Sequence, residues 1–358
     1  MRVSPTLELA ESVERARRSG REAYSFSTPT FESLNPELLS RIQFRTTLTG
    51  AKGSDDLRAA ARAALFGKWA LTGHECALAG GAKAAIFSIL RSMTSPGGKV
   101  LIVSPHWPSY EDLAIAAGLV PAFFETSLEQ GYSIERSRLR QALDQSGAKA
   151  LICSNPGNPT GRILTRRELE SLCAEASNSG ASLLLDESFS RIVFNPGKWA
   201  DSVCEAGTNL FIVNSFSKNF HLQGLRLGAF LAPAEHMPAV AAMHQTVLSS
   251  APSPSQDIAL GILDSEDAAR TGYAEQRRLV LDFLTSRGWR HLATEGSFYV
   301  FPKVGATDEI RARLENRGVM TLPGSVFGLP YAEHLRICFG KPVSEIEAIL
   351  RLTRHALA

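Results

Sequence analysis

The 358-residue chain has no C-x-x-C pair and no Cys/His cluster at metal-ligand spacing; its five cysteines, Cys76, Cys153, Cys173, Cys204 and Cys338, are scattered. Nothing there builds a disulfide framework or a zinc site, and buried free thiols are expected. Long apolar runs are also missing. None approaches the about 20 residues of a membrane span, and Met1 to Gly20 mixes Glu and Arg where a leader would be apolar. The expectation is a cytoplasmic protein with no membrane partner. Charge of one sign is lacking too: a formal net charge of +2 on a chain that is 21% charged leaves no electrostatic footprint for nucleic acid. No internal repeat or low-complexity tract is present, and the Gly/Pro clusters are too short to link independent modules.

What remains is an ordinary globular composition, 44% hydrophobic. Single cores stop growing near about 250–300 residues, so a chain of this length favours two domains. Apolar residues recur at helical spacing from Leu7 to Arg18, and an irregular Pro-containing stretch follows from Ser25 to Pro36. The middle of the chain alternates β-rich runs (K-V-L-I-V, A-L-I-C, S-L-L-L-D, N-L-F-I-V-N) with helical segments at Tyr110 to Ala117 and Thr165 to Ala176. That rhythm predicts βαβ units and an α/β fold on a mainly parallel sheet. A Ser/Pro run from Ser249 to Ser255 precedes a helix-like region with Arg277 and Arg278, and then G-S-F-Y-V-F-P and H-L-R-I-C-F read as strands. A large domain is therefore expected over 41–255, with 1–40 and 256–358 forming a smaller α+β domain that shares its cleft.

Ligands of parallel sheets sit outside the carboxyl ends of the strands, and the chain's unusual residues fall after its β-rich runs. Gly80 and Gly81 open an apolar helical run, A-K-A-A-I-F-S-I-L, whose first N–H groups suit a phosphate; such pairs also merely start helices. In S-P-H-W-P-S-Y, prolines hold Trp107 in a loop where it can stack on a flat ring, or serve a core. N-P-G-N-P-T-G, Asn155 to Gly161, is the more specific motif: two prolines fix the turn while Asn158 offers its amide to a ligand oxygen. Asp186 ends an apolar run and needs a cation if buried. In S-F-S-K-N-F-H-L-Q-G-L-R, the hydroxyls of Ser215 and Ser217 with Arg226 suit a phosphate monoester, and Lys218 suits a covalent bond to a carbonyl carbon.

Together and in this order, from about Phe31 to Phe339, these motifs resemble the class I/II aminotransferases of fold type I, which use pyridoxal 5′-phosphate. The resemblance implies an aspartate aminotransferase-like fold, with a seven-stranded sheet and a second domain, and a homodimer with shared active sites. Substrates would be small molecules, an amino acid and a 2-oxo acid. It also implies that Lys218 forms the internal aldimine and shuttles the proton, and that Asp186 pairs with the pyridine nitrogen. Trp107 would stack on the ring and Asn158 would contact its phenolic oxygen. The backbone of Gly81, Ala82 and Lys83, the hydroxyls of Ser215 and Ser217, and Arg226 would hold the phosphate. Arg336, in H-L-R-I-C-F, matches the arginine that takes the substrate carboxylate.

The chain departs from the family pattern at Phe189, Leu48 and Ser27. Phe189 stands where a tyrosine commonly touches the phenolic oxygen, and Leu48 about where a tyrosine reaches the neighbouring subunit's phosphate. Ser27 falls where glycine lets the backbone approach the carboxylate, so its Cβ is expected to narrow that approach. The expected activity is amino transfer from an L-amino acid to a 2-oxo acid. The alternative on the same fold is elimination, replacement, cyclisation or oxidation of an amino acid. His106 and His221 are read as structural.

Overall fold

The computed structural model describes residues 3–31, 33, 36–204, 209–263 and 272–358; of the expected irregular stretch, residues 32, 34 and 35 lie outside that set. The strands in chain order are β1 (Tyr24–Ser25), β2 (His74–Ala79), β3 (Lys99–Ser104), β4 (Val120–Glu125), β5 (Ala150–Ser154), β6 (Ser182–Asp186), β7 (Leu210–Ser215), β8 (Gly228–Pro233), β9 (Tyr299–Val300), β10 (Val319–Met320), β11 (Leu322–Pro323) and β12 (Leu335–Cys338).

Short runs rich in Leu, Ile and Val form strands because both faces can be buried, and that is how the large sheet is built. Its seven strands lie in the order β2-β8-β7-β6-β5-β3-β4. All pairs are parallel except those made by β8, which runs against β2 and β7. Alternate residues serve different cores: Leu151, Cys153, Leu183, Leu185 and Ile212 pack into one cluster. Ala150, Ile152, Leu184, Phe211 and Val213 pack into another. The period-two pattern of the sequence is thus written into two cores, one on each face.

Helices join these strands. The helix Arg166–Asn178 starts with a capping box in which Thr165 and Glu168 each bond the other's backbone, the arrangement that satisfies orphan N–H groups at a helix start. The helix Ser253–Leu263 begins inside the Ser/Pro run; Pro254 is tolerated there because first-turn amides need no helical partner. This helix contributes Ala259 and Ile262 to the large sheet's core.

A third core joins the helices Ala274–Ser286 and Val343–Ala356 to β9, β10 and β12, with Phe26 and Phe189. Here β9, β12 and β11 form an antiparallel sheet, and β1 pairs in parallel with β10. The N-terminal segment after β1 is stitched in by Cys338 N–H donating to Phe26 O at 2.8 Å and Thr30 N–H donating to Gly340 O at 2.9 Å. The five cysteines are free, and Cys173 differs from the others in being only part-buried. Among the described residues no helix is long and apolar enough to cross a membrane, and no His, Cys, Asp and Glu cluster could hold a metal ion.

Because β8 runs backwards, its first residue Gly228 lies at the same edge as the last residues of β2 and β7, opposite Ala79 and Ser215. A Cβ on Gly228 would fall 2.8 Å from Ala82 N, 2.8 Å from Gly81 C and 3.0 Å from Asn214 O, all backbone. Gly228→Ala is therefore expected to lower stability by about 1–3 kcal/mol, read as a lower urea midpoint of the cofactor-free protein; an unchanged midpoint would refute the close packing.

Candidate active site

Lys218 stands on a single helical turn, Phe216–Asn219, directly after β7. Ser215 caps that turn, its Oγ accepting from Ser217 N–H at 3.1 Å. Asn219 locks it from beneath, donating from Nδ2 to Asn214 Oδ1 at 2.6 Å, Ser215 O at 3.1 Å and Ser190 Oγ at 3.2 Å. The amine lies 5.1 Å from the centre of the Phe31 ring, which stacks on His221 at 4.5 Å. His221 Nε2 in turn meets Tyr273 Oη at 2.7 Å. Surrounding protein pulls the Lys218 pKa down to about 8; Cys338 opposes that shift, while Arg336 and Arg226 add to it.

Asp186 ends β6 and is buried. Its Oδ1 accepts from Ser188 Oγ at 2.6 Å and Ser188 N–H at 2.9 Å, and its Oδ2 accepts from Tyr110 Oη at 2.6 Å. Burial raises its pKa, and those neutral donors hold it back. Among the described residues no cation lies within ion-pair distance of it. Trp107 lies edge-on to Tyr110 at 5.5 Å, with Lys83 Nζ 5.3 Å from its ring centre. Tyr110, Ser188 and Asn219 were not singled out from sequence. Their signal is spacing: Tyr110 is three residues after Trp107, its N–H donating to Trp107 O at 2.9 Å, while Ser188 and Asn219 sit within two residues of Asp186 and Lys218.

At the phosphate side, Gly81 adopts φ 91° and precedes the helix Ala82–Met93, whose N-cap supplies no side-chain bond to the first amides. A Cβ on Gly81 would lie 2.9 Å from Arg226 Nη2, so glycine clears the guanidinium as well as the backbone angle. Burial and the nearby Arg226 both lower the Lys83 pKa. Two like charges thus crowd one helix N-terminus, with no carboxylate in ion-pair range among the described residues.

Arg336, on β12, is only 1% exposed. Its Nη2 donates to Ser27 O at 2.8 Å and its Nη1 to Asn158 Oδ1 at 3.2 Å. Its face lies against Tyr299 at 4.3 Å and Phe327 at 4.7 Å, and Nε has no hydrogen-bond partner. A buried guanidinium answered only by neutral oxygens and rings is costly unless an anion joins it.

The three departures from pattern each have a place. Phe189 is built into the third core, edge-on to Phe298 at 5.3 Å and Tyr299 at 5.7 Å. Leu48 is 76% exposed. Ser27 is fully buried, with its hydroxyl turned to the backbone of β11 and β12. His106 bonds Ser104 Oγ through Nδ1 at 2.8 Å and stacks on Phe123.

The family model for aminotransferase class I and II matches residues 25–351. The chain belongs to this family. It is 31% identical over 273 residues, 72% of this chain and 69% of the relative, to the aspartate/prephenate aminotransferase of Thermus thermophilus. It is 30% identical over 268 residues to a probable N-acetyl-LL-diaminopimelate aminotransferase of Bacillus subtilis, covering 72% of this chain and 67% of the relative. In fold it is similar to the aspartate aminotransferase of Thermotoga maritima, with TM-score 0.86 at 24% identity over 99% of this chain and 97% of the other. The fold is therefore aspartate aminotransferase-like.

The protein is an aminotransferase, moving an amino group from an L-amino acid to a 2-oxo acid. Aminotransferases of this type use pyridoxal 5′-phosphate, and the residues present fit it. A phosphate dianion would answer Lys83 and Arg226 at the glycine-opened helix start, and a protonated ring nitrogen would answer the cation-free Asp186.

Lys218 binds its proton less tightly folded than unfolded. Its charge therefore opposes folding in full below pH 8, and the opposition fades as pH rises from about 8 toward the ordinary 10.5. Lys218→Met is expected to stabilise the cofactor-free protein at pH 7 by a few kcal/mol, with the gain shrinking between pH 8 and 10 in urea titrations. A gain independent of pH would show that the lysine's charge is not its cause.

Proposed function

We propose that the aminotransferase reaction runs on Lys218, Asp186 and Arg336, with the unpaired, buried Arg336 as the observation that carries the assignment. Bound pyridoxal 5′-phosphate supplies a protonated ring that draws electrons from the amino acid's Cα. Asp186, whose ionised form is favoured by three neutral donor bonds against the upward pull of burial, would favour that ring's protonated form. Trp107 stacks on the ring. The amides of Gly81, Ala82 and Lys83, the hydroxyls of Ser215 and Ser217, and Arg226 bind the phosphate.

Lys218 carries the cofactor covalently and moves the proton at Cα. That task needs a neutral amine near working pH, and the pKa of about 8 supplies one more readily than an ordinary lysine would. Arg336 takes the substrate's α-carboxylate, and its fork fixes which Cα bond faces the cofactor. Asn158 joins the two sites: its Oδ1 receives Arg336, leaving its Nδ2 for the cofactor's phenolic oxygen. Relatives are named for aspartate and prephenate, both carboxylates, in keeping with an arginine clamp.

The same reading includes a division into 41–255 and 1–40 with 256–358; the packing of the helix Ser253–Leu263 on the large core favours ending the large domain after Leu263. It also includes a homodimer, supported by exposed Phe44, Leu48, Val247 and Leu248, of which Leu248 lies beside the proposed phosphate cup, where a Cβ on Gly80 would meet its Cδ1. A cytoplasmic location accords with five free thiols.

The test is a screen of the twenty common L-amino acids as donors to 2-oxoglutarate and to oxaloacetate, with 2-oxo acid products quantified. Lys218→Ala should lose both turnover and the visible absorbance of bound cofactor; retained turnover would sink the assignment. Arg336→Lys should keep that absorbance while kcat/KM falls by about 30- to 1,000-fold, and an unchanged KM would remove the carboxylate role. Sedimentation velocity should give twice the chain mass, reduced to the single mass by Leu48→Glu with Leu248→Glu; a monomeric wild type would overturn the dimer.

A further inference from the structure

We propose that Ser27 is a positioning residue of the carboxylate clamp: its hydroxyl fastens the N-terminal segment to the backbone of Arg336, while its carbonyl holds that residue's guanidinium. The proposal rests on the reading that Arg336 receives the substrate's α-carboxylate.

The geometry is specific. Ser27 Oγ donates to Arg336 O at 2.5 Å and accepts from Leu322 N–H at 2.9 Å. Leu322 and Arg336 are paired residues of β11 and β12, so one hydroxyl bridges the strand pair at the arginine itself. Meanwhile Ser27 O accepts from Arg336 Nη2 at 2.8 Å. Ser27 thus grips both ends of Arg336, its main chain and its head.

That grip matters because little else holds the head. Among the described residues, the guanidinium's other hydrogen bond is donated to Asn158 Oδ1 at 3.2 Å, and no carboxylate pairs with it. Aromatic faces restrict its plane but not its rotation within that plane. A bidentate bond to a carboxylate tolerates little misplacement, so the Ser27 carbonyl sets the angle of the fork and the Ser27 hydroxyl sets the position of the carbonyl.

Neighbouring amides are committed elsewhere: the N–H groups of Ser27 and Thr28 both donate to Ser25 Oγ, at 3.2 and 3.0 Å. Carboxylate recognition therefore falls on Arg336 rather than on this stretch of backbone. The side chain at position 27 does not narrow the approach, as its Cβ was expected to; it points into the β11–β12 pair.

Removing the hydroxyl leaves Leu322 N–H and Arg336 C=O buried without that bridge. Ser27→Ala and Ser27→Gly holoenzymes should show KM for the best donor of the twenty-amino-acid screen raised about 5- to 100-fold. Their kcat should change far less, and the cofactor's visible absorbance should be unaltered. Ser27→Gly removes Cβ as well, so agreement between the two variants assigns the effect to the lost hydroxyl rather than to the remaining side chain.

The deciding comparison is the double variant. Where Arg336→Lys is already present, Ser27→Gly should add almost nothing to KM, because the residue acts through the guanidinium. An equal further rise in the double variant, or an unchanged KM in both single Ser27 variants, would overturn the proposal. If Arg336→Lys alone leaves KM unchanged, the carboxylate reading itself fails. If Arg336→Lys raises KM and the Ser27 variants do not, only the role of Ser27 fails.

Discussion

Buried charge left without a protein counter-charge is the constraint on which the rest of this structure depends. Asp186 is met by a phenol, a hydroxyl and an amide, and Arg336 is met by two carbonyl oxygens and two ring faces. Each arrangement is expensive for a folded chain alone. Both would become favourable if, as proposed, a protonated pyridine and a substrate carboxylate supplied the opposite signs. The core strands carry this cost because their two-sided burial is extensive.

The large sheet makes that arrangement by topology. Parallel strands deliver Asn155, Asp186 and Ser215 to one edge because each strand ends there. The single reversed strand, β8, delivers its beginning to the same edge, which brings Arg226 and Gly228 against the start of the helix Ala82–Met93. A sheet of wholly parallel strands would have put those residues at the opposite end.

Much of this was legible in sequence, for physical reasons that differ by residue. The strands β3, β5, β6 and β7 announce themselves as apolar runs because both faces are buried. The motif residues stand out because a polar group ending such a run needs a partner. What was not legible depends on contact across distance. Tyr110 looks like any helical tyrosine until its hydroxyl is found on Asp186, and Asn219 looks like a neighbour of Lys218 until its amide is found spanning three acceptors. The reversed direction of β8 leaves no mark in its own residues. Ser27 was misjudged in effect because the direction of a side chain cannot be told from its presence: the added atoms lie between strands, not over the guanidinium.

Ser27 and Arg336 are 309 residues apart in the chain, and this separation has a consequence for how the protein comes into being. The residues proposed to hold the cofactor lie between Gly81 and Gly228, so their sheet is complete once β8 has emerged during synthesis. The arginine emerges more than a hundred residues later, and until then the N-terminal segment has neither β10 nor β12 to lie against. Domains fold in the order they leave the ribosome. A nascent chain would therefore complete the sheet that carries Lys218 before it can form the strand pair β11–β12 that carries Arg336.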